Sequence, residues 1–305
     1  MNPSATTKVP TALSPSAWIK VGLLTALFVG AYFVLRALPD AQCGFLAYEE
    51  VVGPDGTVEF CATNHAGFLD LSRLDYPLEI EGLEMEGAGA EKRVSLELET
   101  HGGMPVLPHE LAVTHTKKMH VMVIDASLED YHHVHPEPVG LDGRYAFDFT
   151  PRREGPYRVF AEIVPLRSRR QLIATAELPV PGEARTPDFS HSAESVVGEA
   201  RFRLEGLPET LRTGRDYRFE LDVSTVEGEA LELEEVMGAK GHMVAFDASR
   251  KGFAHMHPVD SIVGASGSDD LAFLFNVPNS GWYRLFAQVQ IDGADVYGRF
   301  DLKVE

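Results

Sequence analysis

The sequence predicts a mainly β protein: one transmembrane helix near the N-terminus, then two antiparallel β-sandwiches. Three observations lead there. An apolar run extends from Ala17 to Leu38. After Asp75 the chain breaks into short segments of alternating, β-branched and aromatic residues with no long amphipathic helix among them. Those segments then recur in the same order.

The run "AWIKVGLLTALFVGAYFVLRAL" offers about 20 largely apolar residues, enough to cross a hydrocarbon core as a helix. Lys20 and Arg36 stand near its ends, where long side chains can snorkel. The competing reading is a cleaved signal peptide. Arg36 interrupts the approach to a cleavage site, no small-x-small pair precedes Gln42, and "PDAQC" lacks the small residue expected before a lipidated cysteine. An uncleaved anchor is therefore expected at 17–38. Lys8 and Lys20 lie toward its N-terminal side and Asp40, Glu49 and Glu50 follow it. The positive-inside rule then places residues 1–16 in the cytoplasm and the rest on the periplasmic face of the inner (cytoplasmic) membrane.

Residues 39–75 read as a connector. They hold both cysteines, Cys43 and Cys61, on either side of a hairpin-like segment with a "GPDG" turn. In an oxidising compartment a Cys43–Cys61 disulfide is the expectation, although a turn at Pro54 and Asp55 sets Cys61 nearer Tyr48 than Cys43. A copper–thiolate role, with His65 as the neighbouring ligand, is the alternative.

Beyond the connector, "LEIEGLEME", "RVSLELET", "HVMVID", "YAFDFT" and "YRVFAEIV" are answered by "ARFRLEGL", "YRFELDV", "GHMVAFD", "LAFLFNV" and "YRLFAQVQI". "GPYRVFAE" from Gly155 returns as "GWYRLFAQ" from Gly281, so the pattern is a tandem duplication. Each copy of roughly 100 residues suits one sandwich. The Pro-, Gly- and Ser-rich stretch Pro179 to Ser195 marks the boundary, giving repeats at 76–181 and 182–305.

The most informative phrase is "MHVMVIDASLEDYHHVHP", Met119 to Pro136, echoed by "GHMVAFDASRKGFAHMHP", Gly241 to Pro258. In a strand, His133 and His135 share a face because side chains alternate with a period of two. If His120 pairs opposite His135, three imidazoles converge; a slip of one residue turns His120 away. The same holds for His242, His255 and His257. These six histidines are the candidate metal ligands. Met119, Met122, Met243 and Met256 lie close in sequence, and thioethers would favour copper, especially Cu(I). The ordinary explanation is hairpin architecture, with histidines bonded to loop carbonyls and methionines filling a core. His132 has Ala254 as its counterpart and is expected to be exposed, and each "DAS" reads as a turn whose Asp and Ser satisfy backbone N–H groups.

A His-led strand, "DAS", "HxHP" and then a Gly-x-Tyr-Arg-x-Phe-Ala strand resemble the periplasmic YtkA-like and copper-resistance CopC-like domains over most of Glu79 to Val304. The resemblance implies immunoglobulin-like sandwiches linked to copper handling or to assembly of membrane oxidases, with His120, His133, His135, His242, His255 and His257 at the family's histidine positions. The chain lacks the His-rich mature N-terminus of the copper-resistance proteins.

Composition narrows the function further. With 46 acidic against 27 basic residues and a formal charge of −19, a nucleic-acid surface is excluded, whereas a cationic periplasmic protein or metal ions suit the chain. No "GxSxG", Gly-rich phosphate loop, "HExxH" or CxxC occurs, so no enzyme is expected. One span with two sandwiches is similar in layout to single-span accessory subunits of respiratory or photosynthetic electron-transfer complexes. The expectation is a non-enzymatic, membrane-anchored accessory subunit held by membrane lipid and an integral membrane protein complex, with no required cofactor. The alternative is a periplasmic copper-binding protein.

Overall fold

The computed structural model describes residues 14–36, 48–52, 58–62, 67–259 and 271–305. Helix α1 (Pro15–Arg36) begins where Ser14 Oγ accepts the Ala17 N–H at 3.2 Å and proline occupies the first helical position. Its 22 residues reach about 33 Å, long and apolar enough to cross a membrane, and none of them is buried. The strands belong to a separate compact unit, Gly44–Glu305.

Strands β1 (Tyr48–Val52) and β2 (Val58–Ala62) pair as an antiparallel hairpin with Cys61 opposite Glu49. The expected Cys43–Cys61 bond lies outside the described residues. Strand β3 (Leu69–Asp70), read from sequence as connector, adds an edge to the second sandwich described below.

The first sandwich comprises β4 (Leu78–Glu86), β5 (Lys92–Thr100), β6 (Met119–Asp125), β7 (Tyr131–Val134), β8 (Glu137–Pro138), β9 (Arg144–Phe149), β10 (Tyr157–Ile163) and β11 (Leu172–Leu178). Its sheets run β4-β5-β9-β8 and β11-β10-β6-β7. In β5, Val94, Leu96 and Leu98 are fully buried at alternate positions, and they meet Tyr145, Phe147, Tyr157 and Val159 in one core.

The second sandwich repeats the plan with β12 (Glu194–Val197), β13 (Ala200–Glu205), β14 (Tyr217–Thr225), β15 (His242–Asp247), β16 (Gly252–Met256), β17 (Ala272–Phe275), β18 (Gly281–Ile291) and β19 (Ala294–Val304). The sheets are β12-β13-β14-β17 and β19-β18-β15-β16-β3 around Phe202, Phe219, Phe273 and Phe275. Gly252 lets β3 close on β16, since a Cβ there would stand 1.9 Å from the Leu69 carbonyl oxygen. The fold is therefore mainly β: antiparallel, immunoglobulin-like sandwiches following an apolar helix.

A third core joins the two sandwiches. Met122, Ile124, Tyr131 and Phe160 from β6, β7 and β10 pack against Val244, Phe246, Phe253 and Phe286 from β15, β16 and β18. This is why β6, "MHVMVID", is buried along its whole length: both faces of its sheet are covered. Arg284 clips the same interface. It is fully buried, forks onto Asp301 at 2.6 and 2.8 Å, and donates to the carbonyls of Ser127 and Leu128 at 3.2 Å. Both "DAS" turns behave as turns. Asp125 accepts N–H bonds from Ser127, Glu129 and Asp130, and Asp247 accepts them from Ser249, Lys251 and Gly252.

Candidate metal centre

The register of β6 with β7 decides the site. Val121 lies opposite Val134, so His120 stands level with His135, the alignment that convergence requires. In the second sandwich Met243 opposite Met256 sets His242 level with His257 in the same way. Alternation then sends His120 and His133 to the face that also carries Met122, Ile124 and Tyr131, toward the other sandwich, and His242 and His255 toward the first.

The two groups meet in the interface. His120, His133 and His135 offer ligand nitrogens that all lie within 4.8 Å of one another. The second set within the same limit is His115, His242 and His257. His255 stands in the middle instead, its ring 5.1 Å from His133, 5.5 Å from His120 and 4.6 Å from His257. The sequence reading missed His115. It occupies a two-residue turn closed by Thr114 and Lys117, where His115 and Thr116 both adopt left-handed backbone, φ 48° and 67°. That conformation is costly for non-glycine residues and is concentrated at functional sites. The ring of His115 stacks on that of His257 at 3.7 Å.

Hydrogen bonds fix which nitrogen faces inward. His120 Nε2 lies 2.9 Å from the Thr114 carbonyl, which can only accept, so Nε2 carries the proton and Nδ1 a lone pair. Gln288 donates its amide to Asp295 at 3.2 Å, leaving its oxygen to accept from His133 Nδ1 at 3.0 Å. His133 Nε2 thus also presents a lone pair, 3.3 Å from His120 Nδ1. On the other side, Glu162 accepts from His255 Nδ1 at 3.1 Å. The counterpart pairs are reciprocal, because His133 matches His255 in the repeat and Glu162 matches Gln288. Each sandwich orients the other's central histidine. The polar residue ending "YRVFAE" and "YRLFAQ" was the available signal for Glu162 and Gln288, since it continues the face that carries Phe160 and Phe286.

Buried nitrogens of His115, His135, His242, His255 and His257 have no hydrogen-bond partner. Burial, reinforced by neighbouring imidazoles, lowers His115 and His135 to about 3 and His120 to about 4, and holds His133, His242 and His257 well below the ordinary histidine range. Burial pushes Glu162 upward, yet His255, His120 and the Gln171 hydrogen bond outweigh it and bring it down to about 2. At neutral pH those six imidazoles are therefore neutral, and Glu162 is a buried carboxylate.

The thioethers fall elsewhere. Met119 packs in the core of the first sandwich and Met243 and Met256 in that of the second, while Met122 is part of the apolar contact between them. His132 is not exposed as expected; it faces away from the centre, 2.9 Å from the buried Asp130 and edge-on to Phe149.

A family model described as a domain of unknown function (DUF8832) matches residues 75–179 and 195–305. No curated protein matches the chain. Among solved structures, the bacterial integrin-binding protein invasin is 11% identical at a TM-score of 0.21; the match covers 76% of this chain, which spans 39% of the invasin chain. The Escherichia coli adhesin FdeC is 12% identical at a TM-score of 0.22, covering 82% of this chain and 69% of that one. The fibronectin(III)-like modules of Clostridium thermocellum CbhA are 11% identical at 0.21, covering 74% and 92%.

Proposed function

We propose, for a chain that belongs to the DUF8832 family and carries its match twice, that its task is to bind transition-metal ions, copper foremost, between its two sandwiches. One observation carries this reading: the inward lone pairs of His120 Nδ1 and His133 Nε2, 3.3 Å apart. Two neutral acceptors held face to face repel unless a cation lies between them. Nitrogens bound to one ion at about 2.0–2.1 Å stand about 3.3–3.4 Å apart at the tetrahedral angle and about 2.8–3.0 Å apart at the right angle of tetragonal Cu(II), so the observed spacing serves the first and a small inward shift of either ring the second. The outer nitrogens rest on a carbonyl and an amide, the partners that commonly orient metal-bound imidazole.

The donor set favours a borderline ion, not a hard one. With the methionines taken up by packing, Cu(I) loses the support their sequence positions gave it, but imidazole suits Cu(II) and Zn(II), and Cu(II) heads the divalent affinity order. The motif resemblance to YtkA-like and CopC-like domains supports the same choice. Further parts of the proposal are that α1 anchors the chain in the inner membrane with both sandwiches periplasmic, and that the protein is not an enzyme. Service to an integral electron-transfer complex is the second reading, supported by the exposed apolar helix. The detergent-solubilised chain, loaded with cupric ion and then desalted, should retain copper in preference to zinc supplied in equal amount. Retention of neither metal would leave the histidines as interface architecture.

A further inference from the structure

The two histidine sets are not insulated from each other. His120 of one stands 6.2 Å, ring to ring, from His115 of the other, and His133 stands 6.4 Å from His242. No apolar layer intervenes at these separations, and His255 fills the space between, with Nε2 buried and unpartnered. Ions held by the two sets would be neighbours. Their mutual repulsion needs an offset, and Glu162 supplies a buried negative charge one hydrogen bond behind His255.

The second set is also not the second sandwich's own. Its third member, His115, comes from the first sandwich, on a turn whose counterpart is Val236 to Ala239; there Met237 takes the place of His115, again with positive φ, 52°. The backbone device was kept in both copies, and only one carries imidazole.

We propose that the two sets form a single dinuclear centre, two first-row transition-metal ions side by side between the sandwiches, with His255 as the ligand that stands between them. This rests on the metal-binding reading above and adds stoichiometry, proximity and joint ownership. Matched carboxylate and amide behind the central histidines make the halves unequal, because a carboxylate on the far nitrogen raises the basicity of its imidazole.

Cupric chloride is the probe. The full chain is loaded, freed of excess ion and oxidised with ferricyanide, so that all bound copper is paramagnetic; metal content and electron paramagnetic resonance are then measured on one sample. The expected result is two coppers per chain with dipolar broadening and a half-field signal from a neighbouring pair. His115→Asn, an exchange that left-handed backbone tolerates, should leave one copper with the full spin of an isolated ion. His135→Ala should do the same from the other side, so the test does not hang on one variant folding. Two coppers with no half-field signal, or one copper in the unmodified chain, would overturn the dinuclear centre while leaving metal binding intact. No copper would overturn both.

Discussion

The two halves of the histidine centre are built from the same hairpin, but the first holds three histidines of its own while the second is completed by His115 from across the interface. Duplication preserved the strands, the register and the "DAS" turn. It did not preserve every residue that faces the joint: His115 answers to Met237 and Glu162 to Gln288, while the arginine kept in both copies is partly exposed as Arg158 and fully buried as Arg284. Identical architecture thus carries unequal chemistry, and the inequality lies where the copies touch.

The largest effect should come from Arg284. Removing it strands Asp301, which is only 4% exposed, so Arg284→Ala should cost about 3–5 kcal/mol in a denaturant titration. Acid comes next. An imidazole whose folded-state pKa lies below its unfolded value contributes stability fully present above about pH 6.5 and lost as the pH falls toward the folded values, about 4 for His120 and about 3 for His115 and His135. The metal-free protein should accordingly be less stable at pH 5 than at pH 7.5 by at least about 2 kcal/mol; an unchanged denaturation midpoint would mean these rings are not buried and neutral. Glu162→Gln makes the two central histidines alike and should weaken the tighter copper equivalent by roughly ten- to a hundredfold in competition with a chelator. The smallest effect belongs to Arg158→Ala. That guanidinium meets Glu177 at 3.2 Å near the surface, so its loss should cost less than about 1 kcal/mol. A cost equal to that of Arg284 would abolish the distinction drawn between the copies.

Much of this was legible in the sequence, and what was not has identifiable reasons. Alternation revealed the strands, the repeated phrase revealed the hairpins, and the placement of His133 and His135 on one face follows from a period of two. Register depends on pairing across space, so the alignment of His120 with His135 could only be posed as a condition. The meeting of the sandwiches was written more faintly, in strands such as β6 and β10 that lack a solvent-facing polar series because both faces are covered. His115 escaped because it lies outside the duplicated phrase, on a turn that has no glycine, asparagine or aspartate to mark it in the sequence. The methionines misled for the opposite reason: adjacency in sequence put Met119, Met243 and Met256 beside histidines, while alternation turned them to the opposite face.

The central claim, that both copies hold metal together, is tested most directly by anomalous diffraction at the copper edge from crystals of the copper-loaded chain. Two neighbouring peaks between the β6–β7 and β15–β16 hairpins, one ringed by His120, His133 and His135 and the other by His115, His242 and His257, are the result predicted. Peaks confined to the protein surface, with the interface histidines unligated in copper-saturated crystals, would contradict it.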